Sequence, residues 1–218
     1  MGAANETGRE IDVSALGEDL PLLEGIRTTR AIRRFLPDPV PYALVRKVVE
    51  AGTFAPSGGN RQPWIFIAVT EPARRAWIAE RYRRAFDAYI APAIAAAADA
   101  SYPAAKRRNL ESAVHLARTL AEVPVHLFVA AWKRRGHAQL QAVYPAVQNV
   151  LLACRAVGLG ACLTELHLTY AGEVDEFLGL PPDRPSAVMI PIGRPAIPYK
   201  RPVRRPVDEI LFQERYDA

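Results

Sequence analysis

The stretch VPVHLFVAAW, residues 123–132, constrains the fold more than any other part of the chain. Its β-branched and aromatic residues form an almost continuous apolar run, which indicates a strand buried in the interior. WIFIAVT, residues 64–70, has the same character, and two further strands are predicted over residues 161–167 and 187–192. Helical segments separate these strands along the chain, so the sequence predicts an α/β (α+β) sandwich.

The helices are recognised by apolar residues at helical spacing and by proline at a first turn. The clearest helix opens at Pro41 and must stop near Phe54, because Pro56 and the glycines after it cannot extend a helix. Pro145 is expected to kink or delimit the long helix, and Pro92 interrupts an Ala-rich stretch. The predicted helices cover residues 21–29, 41–54, 72–90, 106–120, 139–160 and 172–179.

Composition excludes several classes of protein, and chain length favours a single domain. The chain has 218 residues and a net charge of +5, which suits a small anionic ligand as well as a nucleic acid. Because the arginines form no long run with interleaved aromatics, no nucleic-acid partner is expected. No apolar run reaches the ~18 residues of a membrane span, and the polar start MGAANETGREIDVS has no signal-peptide core. We therefore expect a cytoplasmic protein with no membrane partner, in which Cys154 and Cys162 are reduced core cysteines.

The segment TTRAIRRF, residues 28–35, is the first candidate site. Arg30, Arg33 and Arg34 lie within five residues of one another, beside apolar Ile32. Guanidinium groups are planar forks of donors that match phosphate oxygens. The alternative interpretation is a solvated cluster of charges.

APSGGNRQPW, residues 55–64, is the second candidate site. Ser57, Asn60 and Gln62 supply side-chain donors and acceptors, and the glycines let a backbone come close to a flat or anionic ligand. The alternative is a turn in which Ser and Asn satisfy nearby backbone groups.

GLGACLTELH, residues 158–167, is the third candidate, a glycine turn leading into a strand with Thr164 and Glu165, and its alternative is ordinary helix capping. The scattered histidines have no metal-ligand spacing, so no metal site is expected. The residues alone indicate a protein with a site for an anionic, planar ligand and leave its reaction open.

Taken in this order, the segments resemble the FMN-dependent nitroreductase family over about residues 20–210. The specific match is Ala-Pro-Ser-x-x-Asn-x-Gln-Pro-Trp, present here from Ala55 to Trp64. The basic segment 28–35 is similar to the family's Arg-Arg-Ser-x-Arg-x-Phe, with Thr29 and Ala31 replacing an Arg and the Ser. The remaining matches are Gln148-Asn149, Leu159-Gly160, Ile192-Gly193 and Arg204-Arg205-Pro206.

The resemblance implies a nitroreductase-like fold, with a central mixed, mainly antiparallel sheet flanked by helices, in an intertwined homodimer. It implies a single flavin-binding domain over 19–218 after a flexible arm, 1–18. Residues 72–120 would form a helical cover over the site, and 198–218 a C-terminal arm on the partner. The implied cofactor-binding residues are Arg30, Ala31, Arg33, Pro56, Ser57, Gly58, Asn60, Gln62, Leu163, Thr164, Glu165, Arg204 and Arg205.

The resemblance also implies an activity, in which FMN takes hydride from NADH or NADPH at N5 and passes it to an electron-poor small molecule by a ping-pong mechanism. No side chain is then expected to be catalytic, because the flavin carries the chemistry. Two alternatives stay open. The same flavin fold hosts dehalogenation, dehydrogenation and flavin breakdown, and the replacements at Thr29 and Ala31 leave room for a non-catalytic flavin-binding module.

Overall fold

A computed structural model describes residues 16–134 and 137–216 of the chain. In this part a four-stranded sheet has the order β1-β2-β6-β5, and all its strand pairs are antiparallel. The predicted α/β sandwich is confirmed. The sheet was predicted to be mixed and mainly antiparallel, but no parallel pair of strands occurs among the described residues. A ribbon of β3 and β4 stands apart from this sheet. The strands are β1 Trp64–Val69, β2 Val125–Ala131, β3 Lys133–Arg134, β4 His137–Ala138, β5 Gly160–Ala161 and β6 Ser186–Gly193.

The core lies on both faces of the two central strands, β2 and β6, whose residues are all buried. Side chains alternate across β2, so Leu127 and Val129 join the cluster on one face and Phe128 joins the cluster on the other. Helices α2 and α5 cover the first face, and α3 and α4 cover the second. The helices are α1 Leu22–Thr28, α2 Tyr42–Thr53, α3 Pro72–Ala97, α4 Ala104–Thr119, α5 Leu140–Ala156 and α6 Ala171–Leu178.

Two prolines lie inside helices that the sequence analysis expected them to interrupt. Helix α3 continues through Pro92 to Ala97, well beyond the predicted end at residue 90. Alanine has the highest helix propensity of any residue type. The Ala-rich stretch after the proline therefore offsets the loss of the one hydrogen bond that Pro92 removes. Pro145 likewise lies inside α5 and does not delimit it.

The third predicted strand, over residues 161–167, is mostly wrong. Only Gly160–Ala161 pairs with β6 as a strand, and Thr164 forms one isolated bridge to Met189. The chain then turns into a 3-10 helix over Leu166–Tyr170, because the N–H of Leu168 bonds back to the carbonyl of Glu165. Apolar periodicity could not distinguish a strand from an irregular segment that is buried beside one.

The described end of the chain leaves the domain after a short anchored stretch. The Tyr199 hydroxyl donates to the carbonyl of Leu159, and the Arg201 guanidinium lies 2.8 Å from the Glu24 carboxylate. Beyond this point the segment is almost wholly exposed, including Val203 and Leu211. Residues 1–15 of the predicted N-terminal arm lie outside the described residues, whereas Gly17 packs against Ala156 at the end of α5.

Across the described ranges, no helix is both long enough and apolar enough to cross a membrane.

Candidate functional site

The basic segment is held in place by a buried residue at its centre. Ile32 is fully buried, and its N–H donates to the carbonyl of Ala161 at 3.0 Å. Gly160 permits this contact, because a Cβ there would lie 2.7 Å from Ile32 Cγ2. Arg30 and Arg33 therefore flank a fixed point beside β5.

The other end of the segment pairs with the chain just after β6. The N–H of Leu36 donates to the carbonyl of Arg194, and the N–H of Ala196 donates to the carbonyl of Arg34, each at 2.9 Å. With backbone bonds on both sides, the arginine side chains project from a rigid backbone, which reduces the entropy lost when they bind a ligand.

The arginines of this segment differ in what they contact. Arg34 lies against His115, with 3.2 Å between its Nη1 and the imidazole Nδ1. Arg30 and Arg33 are half-buried, and neither makes a hydrogen bond or an ion pair with the described residues. Half-buried guanidinium groups without a carboxylate are suited to an external anion. The backbone of Ala31, which was predicted to lie near that anion, is exposed between them.

Thr164 is fixed by three hydrogen bonds. Its N–H donates to the carbonyl of Met189 and its carbonyl accepts from the Met189 N–H, both at 2.9 Å. Its hydroxyl lies 3.1 Å from the Tyr82 hydroxyl, and burial raises the pKa of Tyr82. The Thr164 N–H is thus already used, so the amides that remain without a partner among the described residues are those of Leu163 and Glu165.

The Glu165 side chain points to a different helix. Its Oε1 accepts a hydrogen bond of 2.6 Å from the Tyr144 hydroxyl on α5. This bond to a carboxylate raises the pKa of Tyr144. The pair fixes the side chain while the Glu165 amide stays available.

The loop 55–64 is a preformed turn. The N–H of Gln62 donates to Ser57 Oγ at 3.0 Å, and the Gln62 amide donates to Asn60 Oδ1 at 3.2 Å. Asn60 and Gln62 have φ of 50° and 49°, a left-handed conformation that costs non-glycine residues about 1 kcal/mol or more. The turn interpretation and the binding interpretation are therefore compatible, since the internal bonds hold a strained backbone open around exposed Pro56 and Gly58.

Neighbouring elements fix both ends of this loop. Ala55 and Trp64 are buried in the main core cluster. Asn149 on α5 donates from its amide to the carbonyl of Ala51 at 3.2 Å, which satisfies a carbonyl near the end of α2. The Gln148-Asn149 pair noted in the sequence thus contributes through Asn149, whereas Gln148 is exposed.

The predicted site residues fall into three separate groups. Arg33, Leu163 and Thr164 line a cavity of about 420 Å³ between α3, α4 and the segment after β5. Ser57 and Gly58 line a second cavity, of about 380 Å³, with Trp132 and Lys133. Arg204 and Arg205 lie on the exposed C-terminal arm, where Arg204 donates to the carbonyl of Val203. One copy of the described chain does not bring these groups together.

Residues 72–120 were predicted to cover the site, without individual side chains being assigned to it. Tyr82 and Phe86 on α3 line the larger cavity, together with Tyr102 from the turn before α4 and Lys106 and Asn109 from α4 itself. Tyr82 and Phe86 lie four residues apart on α3, and Lys106 and Asn109 lie three residues apart on α4, so each pair shares one face of its helix. That spacing was visible in the sequence, but it does not tell which face meets a cavity.

The free donors fit a cofactor with both an anionic and a planar part. Arg30 and Arg33 offer unpaired guanidinium groups to a phosphate, and the amides of Leu163 and Glu165 offer donors to the edge of a heterocycle. These features, on an antiparallel sheet between helices, are those of a protein that binds a cofactor with an anionic and a planar part.

The comparison with known proteins agrees with this class. The nitroreductase family profile matches residues 26–194. The 5,6-dimethylbenzimidazole synthase of Rhodobacter capsulatus is 31% identical over 180 residues, which cover 80% of this chain and 83% of that enzyme.

Two solved structures extend the comparison to three dimensions. A variant of the FMN- and NADPH-dependent nitroreductase NfnB of Sphigopyxis sp. strain HMH is 25% identical with a TM-score of 0.68, covering 90% of this chain and 100% of the other. Iodotyrosine deiodinase bound to FMN and 3-iodo-L-tyrosine has a TM-score of 0.72 at 22% identity, with the same coverage. The chain therefore belongs to the nitroreductase family, a family of oxidoreductases.

Proposed function

We propose that this protein is an FMN-dependent oxidoreductase that transfers hydride from NADH or NADPH, through flavin N5, to an electron-poor nitroaromatic or quinone-like acceptor by a ping-pong mechanism. The observation that carries the proposal is the free guanidinium groups of Arg30 and Arg33, held on a rigid backbone beside the free amides of Leu163 and Glu165. The similarity to an FMN- and NADPH-dependent nitroreductase supports the choice of cofactor and donor.

The chain's own residues bind and orient the reactants in this proposal. Arg30 and Arg33 neutralise the phosphate and hold the ribityl chain, with the Ala31 backbone alongside. The amides of Leu163 and Glu165 donate to the flavin edge near N5, and the bonds from Met189 and Tyr82 to Thr164 keep those amides aligned. A pre-aligned donor loses little free energy to reorganisation during the reaction.

The site is proposed to be completed by a second copy of the chain. The loop with Pro56, Ser57, Gly58, Asn60 and Gln62 lines a different cavity from Arg33 in one copy, so we assign this loop to the flavin of the partner. The arm with Arg204 and Arg205 is assigned the same role, as a second contact to phosphate. The buried free thiols of Cys154 and Cys162 suit a reducing compartment, so we place the homodimer in the cytoplasm.

The test is an absorbance spectrum of the purified protein, followed by anaerobic titration of the FMN-loaded protein with NADH and with NADPH. We expect a yellow protein whose flavin band is bleached by at least one of the two nicotinamides. Arg33→Gln should raise the Kd for FMN about 10- to 100-fold, since a charge-assisted hydrogen bond contributes about 1.5–3 kcal/mol.

Arg34→Gln is the matched control, because it removes the same charge one residue away, where the side chain contacts His115. It should bind FMN as the wild type does. A colourless protein that ignores added FMN would contradict the proposal. Bound FMN that neither nicotinamide reduces would favour the non-catalytic module.

A second candidate function is action on the flavin itself, and the 31% identity to 5,6-dimethylbenzimidazole synthase favours it. The same arginines and amides would hold the flavin as substrate. Incubation of the protein with FMN and NAD(P)H in air distinguishes the two: loss of flavin with formation of 5,6-dimethylbenzimidazole supports this candidate. Rapid turnover of quinones or nitroaromatics with intact FMN supports the first.

A further inference from the structure

The larger cavity, with the free arginine Arg33 at one end, extends far beyond the residues proposed for the flavin. Its volume of about 420 Å³ is in the range of small-molecule sites. Leu163 and Thr164 lie at the same end as Arg33, beside β5. Most of the other lining residues come from α3, α4 and the turn between them, and the aromatic ones are Tyr82, Phe86, Tyr89 and Tyr102.

The turn between α3 and α4 holds one of these aromatic walls in place. Arg107 donates to the carbonyl of Ala97, and its Nη2 donates to the carbonyl of Asp99 at 2.9 Å. The same guanidinium lies 5.7 Å from the centre of the Tyr102 ring. A cation–π contact within a hydrogen-bonded turn therefore holds the Tyr102 ring in place, where a flat ligand could pack against it.

The charge of this part of the cavity is positive. Lys106 lines it and makes no hydrogen bond or ion pair with the described residues, and Asn109 follows three residues later on the same helix face. No aspartate or glutamate is among the described lining residues. The nearest acidic residue before Lys106 is Asp99, whose carboxylate accepts from the N–H of Ser101 at 2.8 Å.

We propose that the acceptor is an aromatic compound that carries a carboxylate or a similar anionic group. Its ring lies along the aromatic wall formed by Tyr102 and its neighbours, and its anion lies at Lys106, with the Asn109 amide as a second donor. The inference rests on the proposed function for the hydride transfer, but the binding it describes does not require any transfer. A neutral aromatic of the same shape would leave the Lys106 charge without a partner and would bind more weakly.

The test compares 4-nitrobenzoate with 4-nitrobenzamide, which have nearly the same shape and differ in charge. Binding to the FMN-loaded protein is measured by calorimetry without nicotinamide, so that no reduction occurs. The wild type should bind the benzoate at least fivefold more tightly. Lys106→Gln should weaken benzoate binding about tenfold and leave benzamide binding within twofold, because a charge-assisted hydrogen bond is lost.

Arg108→Gln is the matched control, because it removes a positive charge from the same helix at a residue outside the cavity. It should leave both affinities unchanged, and raising the salt concentration should weaken only the benzoate. Equal binding of the two probes by the wild type, or equal losses in both variants, would overturn the inference. So would a Lys106→Gln variant that weakens NADPH binding alone, since the lysine would then recognise the donor.

The calorimetric result separates this inference from the proposed function. If the benzoate binds as expected and nicotinamides do not reduce the flavin, the anion site stands and the hydride-transfer proposal fails. If the flavin is reduced and the two probes bind equally, the proposed function stands and the assignment of the acceptor fails.

Discussion

Neighbouring arginines in the basic segment have different surroundings, and this difference assigns their roles. Arg33 faces the larger cavity, close to the buried thiol of Cys162, whose pKa burial raises to about 11. Arg34, the next residue, contacts His115 on α4, and burial, together with the positive charge of Arg34, lowers the pKa of that imidazole. A change of one residue in position thus separates an arginine that lines a cavity from one that contacts a histidine, and only the first is proposed to bind a ligand.

Two histidines, His126 and His167, are buried in the interior of the molecule. His167 is 1% exposed, and neither of its ring nitrogens has a hydrogen-bond partner among the described residues. His126 is fully buried and bonds through Nε2 to the carbonyl of Leu120 at 2.8 Å. Burial lowers the pKa of each to about 4.

We predict that the protein loses stability between pH 6.5 and pH 4. Because the folded pKa lies below the unfolded value of about 6.5, the unfolded state binds more protons in this window, and acid favours unfolding. Each histidine should contribute a loss of about 2 kcal/mol on going from pH 7 to pH 5. His167→Phe keeps an aromatic ring against Phe128 and should remove about half of this pH dependence, measured by urea unfolding at both pH values.

His115→Phe is the control, since His115 is less buried and contacts Arg34. It should leave most of the slope in place. A stability curve that is flat from pH 7 to pH 5 in the wild type would contradict this prediction.

Helix α3 packs against α6 through stacked aromatic rings and the arginines beside them. The rings of Trp77 on α3 and Phe177 on α6 stack with 3.9 Å between centroids and 6° between planes. Arg81 lies 3.4 Å from the Trp77 ring centroid and 2.8 Å from the Glu173 carboxylate, and Arg74 lies 4.2 Å from the Phe177 ring centroid. Because α3 also carries Tyr82 and Phe86, the contacts of Trp77 with α6 help to position two residues that line the larger cavity.

Trp77→Ala should lower the free energy of unfolding by about 2–3 kcal/mol, because a half-buried ring loses its packing and its stacking partner. Tyr89→Ala, on the same helix but 71% exposed, should cost less than about 0.5 kcal/mol. Denaturant unfolding measures both. Equal losses in the two variants would contradict the prediction, since the stacked ring of Trp77 would then contribute no more than the exposed ring of Tyr89.

Several large apolar side chains are exposed in a single copy of the molecule. Phe54 is 80% exposed at the end of α2, and Leu22 is 70% exposed on α1. The C-terminal arm adds Val207 and Leu211, which are 59% and 69% exposed. Exposed apolar side chains of this size are often buried at interfaces, so we expect the proposed homodimer to cover them.

We predict that Leu211→Asp weakens the dimer and lowers FMN affinity together, because in the proposed assembly the arm brings Arg204 and Arg205 to the partner's phosphate. Ile94→Asp, at a 50% exposed position on α3, is the control and should change neither. Light scattering measures the assembly, and the flavin content after gel filtration measures the affinity. A monomeric wild type that retains its full flavin content would contradict the prediction.

The sequence by itself determined the elements whose signals are local, and the motifs. Strands β1, β2 and β6, the helix from Pro41 and the turn at 55–64 follow from periodicity and from local proline and glycine chemistry, which act over a few residues. It also identified TTRAIRRF as a basic segment beside an apolar residue, Ile32. These features need no knowledge of distant contacts.

Only the tertiary structure decided which of those residues are free to bind. The Thr164 amide is used by Met189, Arg34 contacts His115, and Ile32 meets Gly160, and each contact joins residues far apart in the chain. Side chains at equal sequence spacing differ in burial and in partners once the helices pack on the sheet, and partners decide whether a donor remains for a ligand. The cavity with Tyr102 and Lys106 has the same origin, because it exists only between packed helices.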